Sequence, residues 1–168
     1  MSTEQPARHT VSVDDAPDRV ERRSIVVDAA PEQVFDILAD PSCHPDFDGS
    51  GSVRSSREPG PQRLSLGSRF GMDMKIVVPY RMTNEVVEFV ENETIAWSHL
   101  GGHIWRYRLE EVAGGTRITE EFDWRPSKSP SFLRLTKAPE RNATSLEKTL
   151  ERLAELVDGA PESSASTG

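Results

Sequence analysis

Between Gly49 and Trp124 the chain is a succession of short segments of strand character joined by hairpin-length turns, and that pattern leaves few folds open. The segments lie near 50–57, 67–76, 80–91, 93–99, 103–112 and 116–124. Glu58-Pro59-Gly60-Pro61 reads as a loop, and Glu91-Asn92-Glu93, Gly101-Gly102 and Gly114-Gly115 as tight connections. Parallel neighbours need crossovers of about a dozen residues, so these turns imply an antiparallel meander. A further strand precedes it at Val20 to Ala29. Pro31 and Glu32 then open a short helix through Val34, Phe35 and Leu38, stopped at Asp40-Pro41, and Ser42 to Asp46 forms a second helical turn. One long element remains. Ala143, Leu146, Leu150, Leu153 and Val157 recur at steps of three and four, with Glu147, Lys148, Glu151, Arg152 and Glu155 opposite. This helix is expected to begin near Pro130, with Pro139 marking a kink or break. The expected fold is α+β: a curved antiparallel sheet of about seven strands around a long C-terminal helix, with two short helices after the first strand. A sheet with one apolar face must bury it, and a single helix covers only a strip. Side chains or a cavity must fill the rest.

Alternation sorts the strand faces. Phe70, Met72, Met74 and Ile76 share one face, against Arg69, Asp73 and Lys75. His103, Trp105, Tyr107 and Leu109 oppose Ile104, Arg106, Arg108 and Glu110. Ile118, Phe122 and Trp124 share a face with Glu120, which leaves Thr119, Glu121 and Asp123 toward solvent. Ile95, Trp97, Tyr80 and Met82 join the inner set, and the change of phase between Asn84 and Phe89 predicts a bulge. Candidate ligand-lining residues are therefore Phe70, Met72, Met74, Met82, Trp97, Trp105, Tyr107, Glu120, Phe122 and Trp124, with Leu146, Leu150 and Leu153 as a helical lid. Glu120 is the sharpest clue, because a plain apolar core rarely holds a carboxylate. Glu120, His103 and Tyr107 are the candidate acid–base groups; a buried Glu120 would have a raised pKa.

Other chemistry is weakly represented. Cys43-His44 beside Asp46 reads as an ordinary loop, the four histidines show no metal-ligand spacing, and Gly49-Ser50-Gly51-Ser52 lacks what a phosphate loop needs after it. Neither a metal nor a cofactor is expected. With 28 acidic against 20 basic residues the net charge is −8, which disfavours nucleic acid as a partner. No stretch approaches the roughly 18 apolar residues of a membrane helix, so stable membrane insertion is not expected. The single Cys43 excludes an intrachain disulfide, and the polar N-terminus lacks the apolar core of a signal peptide. A cytoplasmic protein, monomeric or homodimeric, is expected. Residues 1–19 and 159–168 read as disordered tails around a domain at 20–158.

The run Ser24-Ile25-Val26-Val27-Asp28-Ala29-Ala30-Pro31-Glu32-Gln33-Val34-Phe35-Asp36-Ile37-Leu38-Ala39-Asp40-Pro41 resembles the opening of the SRPBCC superfamily. That group contains START lipid-transfer domains, the birch-pollen-allergen fold and polyketide cyclase/dehydrase-like proteins. Val87-Glu88-Phe89 through Ile95-Ala96-Trp97-Ser98-His99 and Gly115-Thr116-Arg117-Ile118-Thr119 are similar to its middle strands. The likeness is strongest to small stand-alone actinobacterial members. It implies a helix-grip fold with a hydrophobic tunnel under the last helix, and no shared catalytic motif. Three functions follow as expectations: binding or carrying a small hydrophobic molecule, lipid-like, aromatic or polyketide-like; a cofactor-free cyclase or dehydratase; or a protein-interaction module, which would need an exposed apolar patch.

Overall fold

The computed structural model describes residues 9–57, 62–99 and 101–159. Of the expected tails, 1–19 and 159–168, residues 1–8 and 160–168 lie outside the described residues. Eight strands form a single antiparallel sheet in the order β1-β2-β8-β7-β6-β5-β4-β3. They are β1 (Ser12–Val13), β2 (Val20–Val27), β3 (Val53–Ser56), β4 (Arg69–Lys75), β5 (Pro79–Val90), β6 (Thr94–Ser98), β7 (Ile104–Val112) and β8 (Gly115–Asp123). Between β2 and β3 lie α1 (Pro31–Leu38), a 3-10 turn at Pro41–Cys43 and α2 (His44–Phe47). After β8 come α3 (Pro130–Leu135) and α4 (Ala138–Gly159).

The eighth strand is β1, in the segment expected to be a mobile tail. Ser12 pairs with Ser24 and Val13 with Arg23. Its two residues carry no readable alternation, so only the pairing reveals it. The expected helical break is present just before Pro139. Lys137 takes a left-handed φ of 52° and separates α3 from α4. Pro139 then sits in the first turn of α4, where its missing N–H costs no bond. The expected bulge lies in β5, where the register with β6 shifts between Val86 and Glu88.

Helix α4 packs on β2 and β8, and α2 touches both α4 and β3 at the far edge of the sheet. The sheet therefore curls, bringing its β3 edge back toward the helix. Gly49 makes that closure possible, since a Cβ there would stand 2.4 Å from the Ser145 carbonyl oxygen. Its N–H donates to Thr149 Oγ1 at 2.9 Å, tying the end of α2 to the middle of α4. Gly115, at φ 136°, lets the β7–β8 turn approach the backbone of Val27.

The outer face corrects a second expectation. Glu121 and Asp123, expected toward solvent, are buried. Arg106 lies between them, donating to Glu121 at 2.7 Å, to Asp123 at 3.3 Å and to Glu88 at 2.6 Å. Arg22 and Arg108 reach Glu121 at 2.8 and 2.9 Å, and Arg125 reaches Asp123 at 2.6 Å. The arginine stems cover the carboxylates while their heads neutralise them.

Candidate functional site

The inner face is built by cross-strand pairing. Trp97 lies opposite Trp105, Trp105 opposite Phe122, and Tyr107 opposite Glu120. Phe70, Met72, Trp97, Tyr107, Glu120, Phe122, Trp124, Leu146, Leu150 and Leu153 are all buried, and Trp105, Met74 and Met82 are half-buried. They fall into two groups. Phe70, Met72, Trp97, Tyr107, Leu150 and Leu153 belong to the main core. Phe122, Trp124 and Leu146 form a second cluster with Leu133 of α3, and Trp105 touches both. Ile76, expected inside, is exposed because it lies past the last β4–β5 pair, Lys75 with Pro79.

Glu120 is 1% exposed. The Tyr107 hydroxyl donates to its Oε1 at 2.7 Å. Its Oε2 is buried and has no hydrogen-bond partner among the described residues. The nearest cation in register is Arg23 on β2, and Arg23 donates instead to Glu147 of α4 at 3.0 Å. Burial pushes the Glu120 carboxyl well above the ordinary carboxylate range, opposed by the Tyr107 hydrogen bond. Burial and the neighbouring Glu120 push the Tyr107 phenol up in turn. Both shifts favour the uncharged forms, a carboxylic acid beside a phenol.

A second polar chain runs beside it. His99 Nε2 lies 3.2 Å from Trp105 Nε1, and an indole nitrogen only donates. The Nε2 therefore carries the lone pair, and Nδ1–H donates to Asn84 Oδ1 at 2.6 Å. These bonds require the neutral ring. Burial, then the neighbouring His103, lower the His99 pKa to about 3. His103 stands edge-on to His99 at 4.3 Å and to Phe122 at 5.3 Å. Its Nδ1 is buried without a partner among the described residues, and burial lowers its pKa.

His44 is inside as well, contrary to its reading as part of an ordinary loop. Its Nε2–H donates to the Leu38 carbonyl at 2.9 Å, and its ring stacks on Trp97 at 4.7 Å. Burial takes its pKa to about 4. His44, His99 and Asn84 are the inner polar residues that sequence reasoning missed. His99 and Asn84 were within reach, since each continues the parity of an inner set, Ile95–Trp97 and Met82–Val86. His44 carries no such signal.

The cover is uneven. Because α4 lies on β2 and β8, the β4–β5 side of the inner face keeps Met74, Tyr80 and Met82 partly accessible. A concavity of about 730 Å³ opens at the α3–α4 break, lined by Trp124, Arg134, Glu140 and Ala143 among others. Another of about 660 Å³ lies on the outer face beside β1, among the paired Arg22, Arg108 and Glu121. No group of three or more metal-ligating side chains occurs among the described residues.

Comparison with known proteins places these observations. An uncharacterized protein of Mycobacterium tuberculosis is 39% identical over 153 residues, spanning 87% of this chain and 67% of that protein. The crystal structure of a Rhodobacter sphaeroides protein superposes with a TM-score of 0.69 at 17% identity, covering 90% of this chain and 100% of the other. The solution structure of a polyketide-cyclase-like protein from Corynebacterium glutamicum gives 0.60 at 19% identity, covering 86% and 94%. At these identities the two structures establish the shared helix-grip fold alone. Residues 19–158 match the model of a family described as polyketide cyclase / dehydrase and lipid transport. The chain belongs to that family, within the SRPBCC superfamily.

Proposed function

We propose that the protein binds a small, uncharged hydrophobic molecule, lipid-like, aromatic or polyketide-like, against the inner face of the sheet. Glu120 and Tyr107 form the deep polar anchor. The Asn84–His99–Trp105 chain and His103 stand nearer the rim, and Met74 and Met82 provide adaptable contacts on the side that α4 leaves uncovered. The observation that carries this reading is Glu120 Oε2, a buried polar atom with no partner among the described residues. A protonated carboxyl there has a donor to offer to a carbonyl or hydroxyl oxygen. An unsatisfied group of this kind costs about 1–3 kcal/mol, which a suitable ligand atom would recover. Burial shifts every inner titratable group toward its neutral form, which favours an uncharged ligand. The cation nearest in register to a carboxylate buried beside Glu120 is Arg23, which is already held by Glu147.

The test uses two ligands with one polyene chain, all-trans-retinol and retinoate, at pH 7.5. Binding is followed by quenching of Trp97, Trp105 and Trp124. Saturable quenching by retinol, with retinoate at least about tenfold weaker, is expected; that ratio corresponds to about 1.4 kcal/mol. Quenching by neither contradicts the site, and equal affinities contradict its neutrality.

A second reading draws on the same pair. An acid bonded to a phenol at 2.7 Å could exchange protons with a bound carbonyl compound, as a cyclase or dehydratase requires. Glu120→Gln distinguishes the readings with a polyketide-type substrate. Intact affinity with abolished turnover supports catalysis, and altered affinity without turnover in either protein supports carriage.

A further inference from the structure

The β4–β5 hairpin, with β3 alongside β4 as far as Met74, extends well past β6, β7, β8 and β2. The pairing of β5 with β6 ends at Glu85 and Ser98, and β7, β8 and β2 end at the same level at Ile104, Asp123 and Val20. Residues 79–84 of β5 continue paired with β4 alone, a further reach of about 20 Å. At its turn stand Ile76, Val77 and Val78, all strongly exposed, with Val77 at 85%. Helix α3 follows β8 at this same end of the sheet. It turns Leu133 into the Trp124 cluster and leaves Phe132 and Leu135 outside, Leu135 at 82% exposure.

The charge around these residues is unlike that of the whole chain. Within 74–84 the charged residues are Lys75 and Arg81, and within 124–139 they are Arg125, Lys128, Arg134 and Lys137; neither segment holds an acid, in a chain of net charge −8. Lys75, Lys128 and Lys137 make no ion pair among the described residues. Exposed aliphatic tips flanked by unpaired lysines suit the boundary between lipid headgroups and acyl chains. Two separate insertion points also suit a bilayer better than a protein partner, because a fluid surface demands no matching contour.

We propose that this end of the molecule docks on the surface of an anionic lipid bilayer. Ile76–Val78 and the Phe132–Leu135 face enter the headgroup boundary, and Lys75, Lys128 and Lys137 stay among the lipid phosphates. The docking is peripheral: no helix of the described residues is long and apolar enough to cross a membrane. It does not depend on what the inner face binds.

Flotation of the full chain with large unilamellar vesicles tests it, comparing phosphatidylcholine alone with an equal mixture of phosphatidylcholine and phosphatidylglycerol. The expected result is flotation with the anionic vesicles that falls several-fold between about 0.05 and 0.5 M salt, as screening requires. The double variant Val77→Asp, Leu135→Asp should lower the bound fraction at least about tenfold, with an unchanged melting temperature because both side chains are exposed in the fold. No flotation with anionic vesicles overturns the proposal, as does flotation that the double variant leaves intact. A dimer in light scattering that Val77→Asp dissolves, without vesicle binding, overturns it too and assigns the tip to a second copy of the chain.

Discussion

Burial favours the protonated form of the Glu120 carboxyl under the helix, and the neutral form of a histidine stacked in an aromatic core. The two effects act on stability from opposite sides of neutral pH. For Glu120 the folded pKa lies above the unfolded one, so its favourable contribution is complete below about pH 4.5 and is lost as pH rises toward the folded value. For His44 the folded pKa of about 4 lies below the ordinary 6.5, so its contribution is complete above 6.5 and is lost as pH falls toward 4. That histidine shift corresponds to about 3 kcal/mol. Urea midpoints measured from pH 3.5 to 9 should therefore pass through a maximum. Glu120→Gln, which keeps an acceptor for Tyr107, should gain on the wild type progressively as pH rises above 4.5. A constant difference between the two proteins would mean that Glu120 is ionised in the fold. Alternation along β8 is enough to put Glu120 on the inner face. Nothing local does the same for His44, whose position depends on the return of α2 across the sheet.

At the scale of elements, the two faces of the β7–β8 pair illustrate what alternation can and cannot decide. It sorts Tyr107 and Glu120 to one side and Arg106, Glu121 and Asp123 to the other, as observed. It cannot say that the second side is covered. Arginines from β2 and β7, with Arg125 just beyond β8, close over Glu121 and Asp123, a network spanning strands distant in sequence. Arg106→Leu would leave Glu88 and the two buried carboxylates short of their shared partner, and should cost about 3 kcal/mol in urea unfolding. Arg117→Leu, which removes an exposed pair with Glu110, should stay within about 0.5 kcal/mol. Equal costs for the two would show that the Arg106 network is solvated. The β5 bulge was legible because hydrophobic phase slips there. Strand β1 was not, because two residues define no phase.

At the scale of the whole molecule, the meander and the single amphipathic stripe determined the architecture, since a one-faced sheet with one long helix has few ways to hide its apolar side. The placement of α4 was not legible. Its approach depends on Gly49 fitting against Ser145 and on the Arg23–Glu147 pair, neither of which leaves a pattern in sequence. The N-terminal segment is likewise held by long-range contacts. His9 bonds both the Val26 carbonyl and Asp158 near the end of α4, at 2.9 and 2.8 Å. Removing residues 1–15 should lower the melting temperature by a few degrees, at about 1 kcal/mol, while leaving retinol affinity unchanged. A changed affinity would place this segment in the binding path. The central claim, that the fold holds a small uncharged apolar molecule, is tested most directly by native mass spectrometry of the full chain, before and after denaturing extraction. A folded mass exceeding the chain mass by a non-covalent adduct, lost on unfolding and recovered as a compound neutral at pH 7, is the predicted result. A folded mass equal to that of the chain, unchanged after incubation with excess retinol, would contradict the claim.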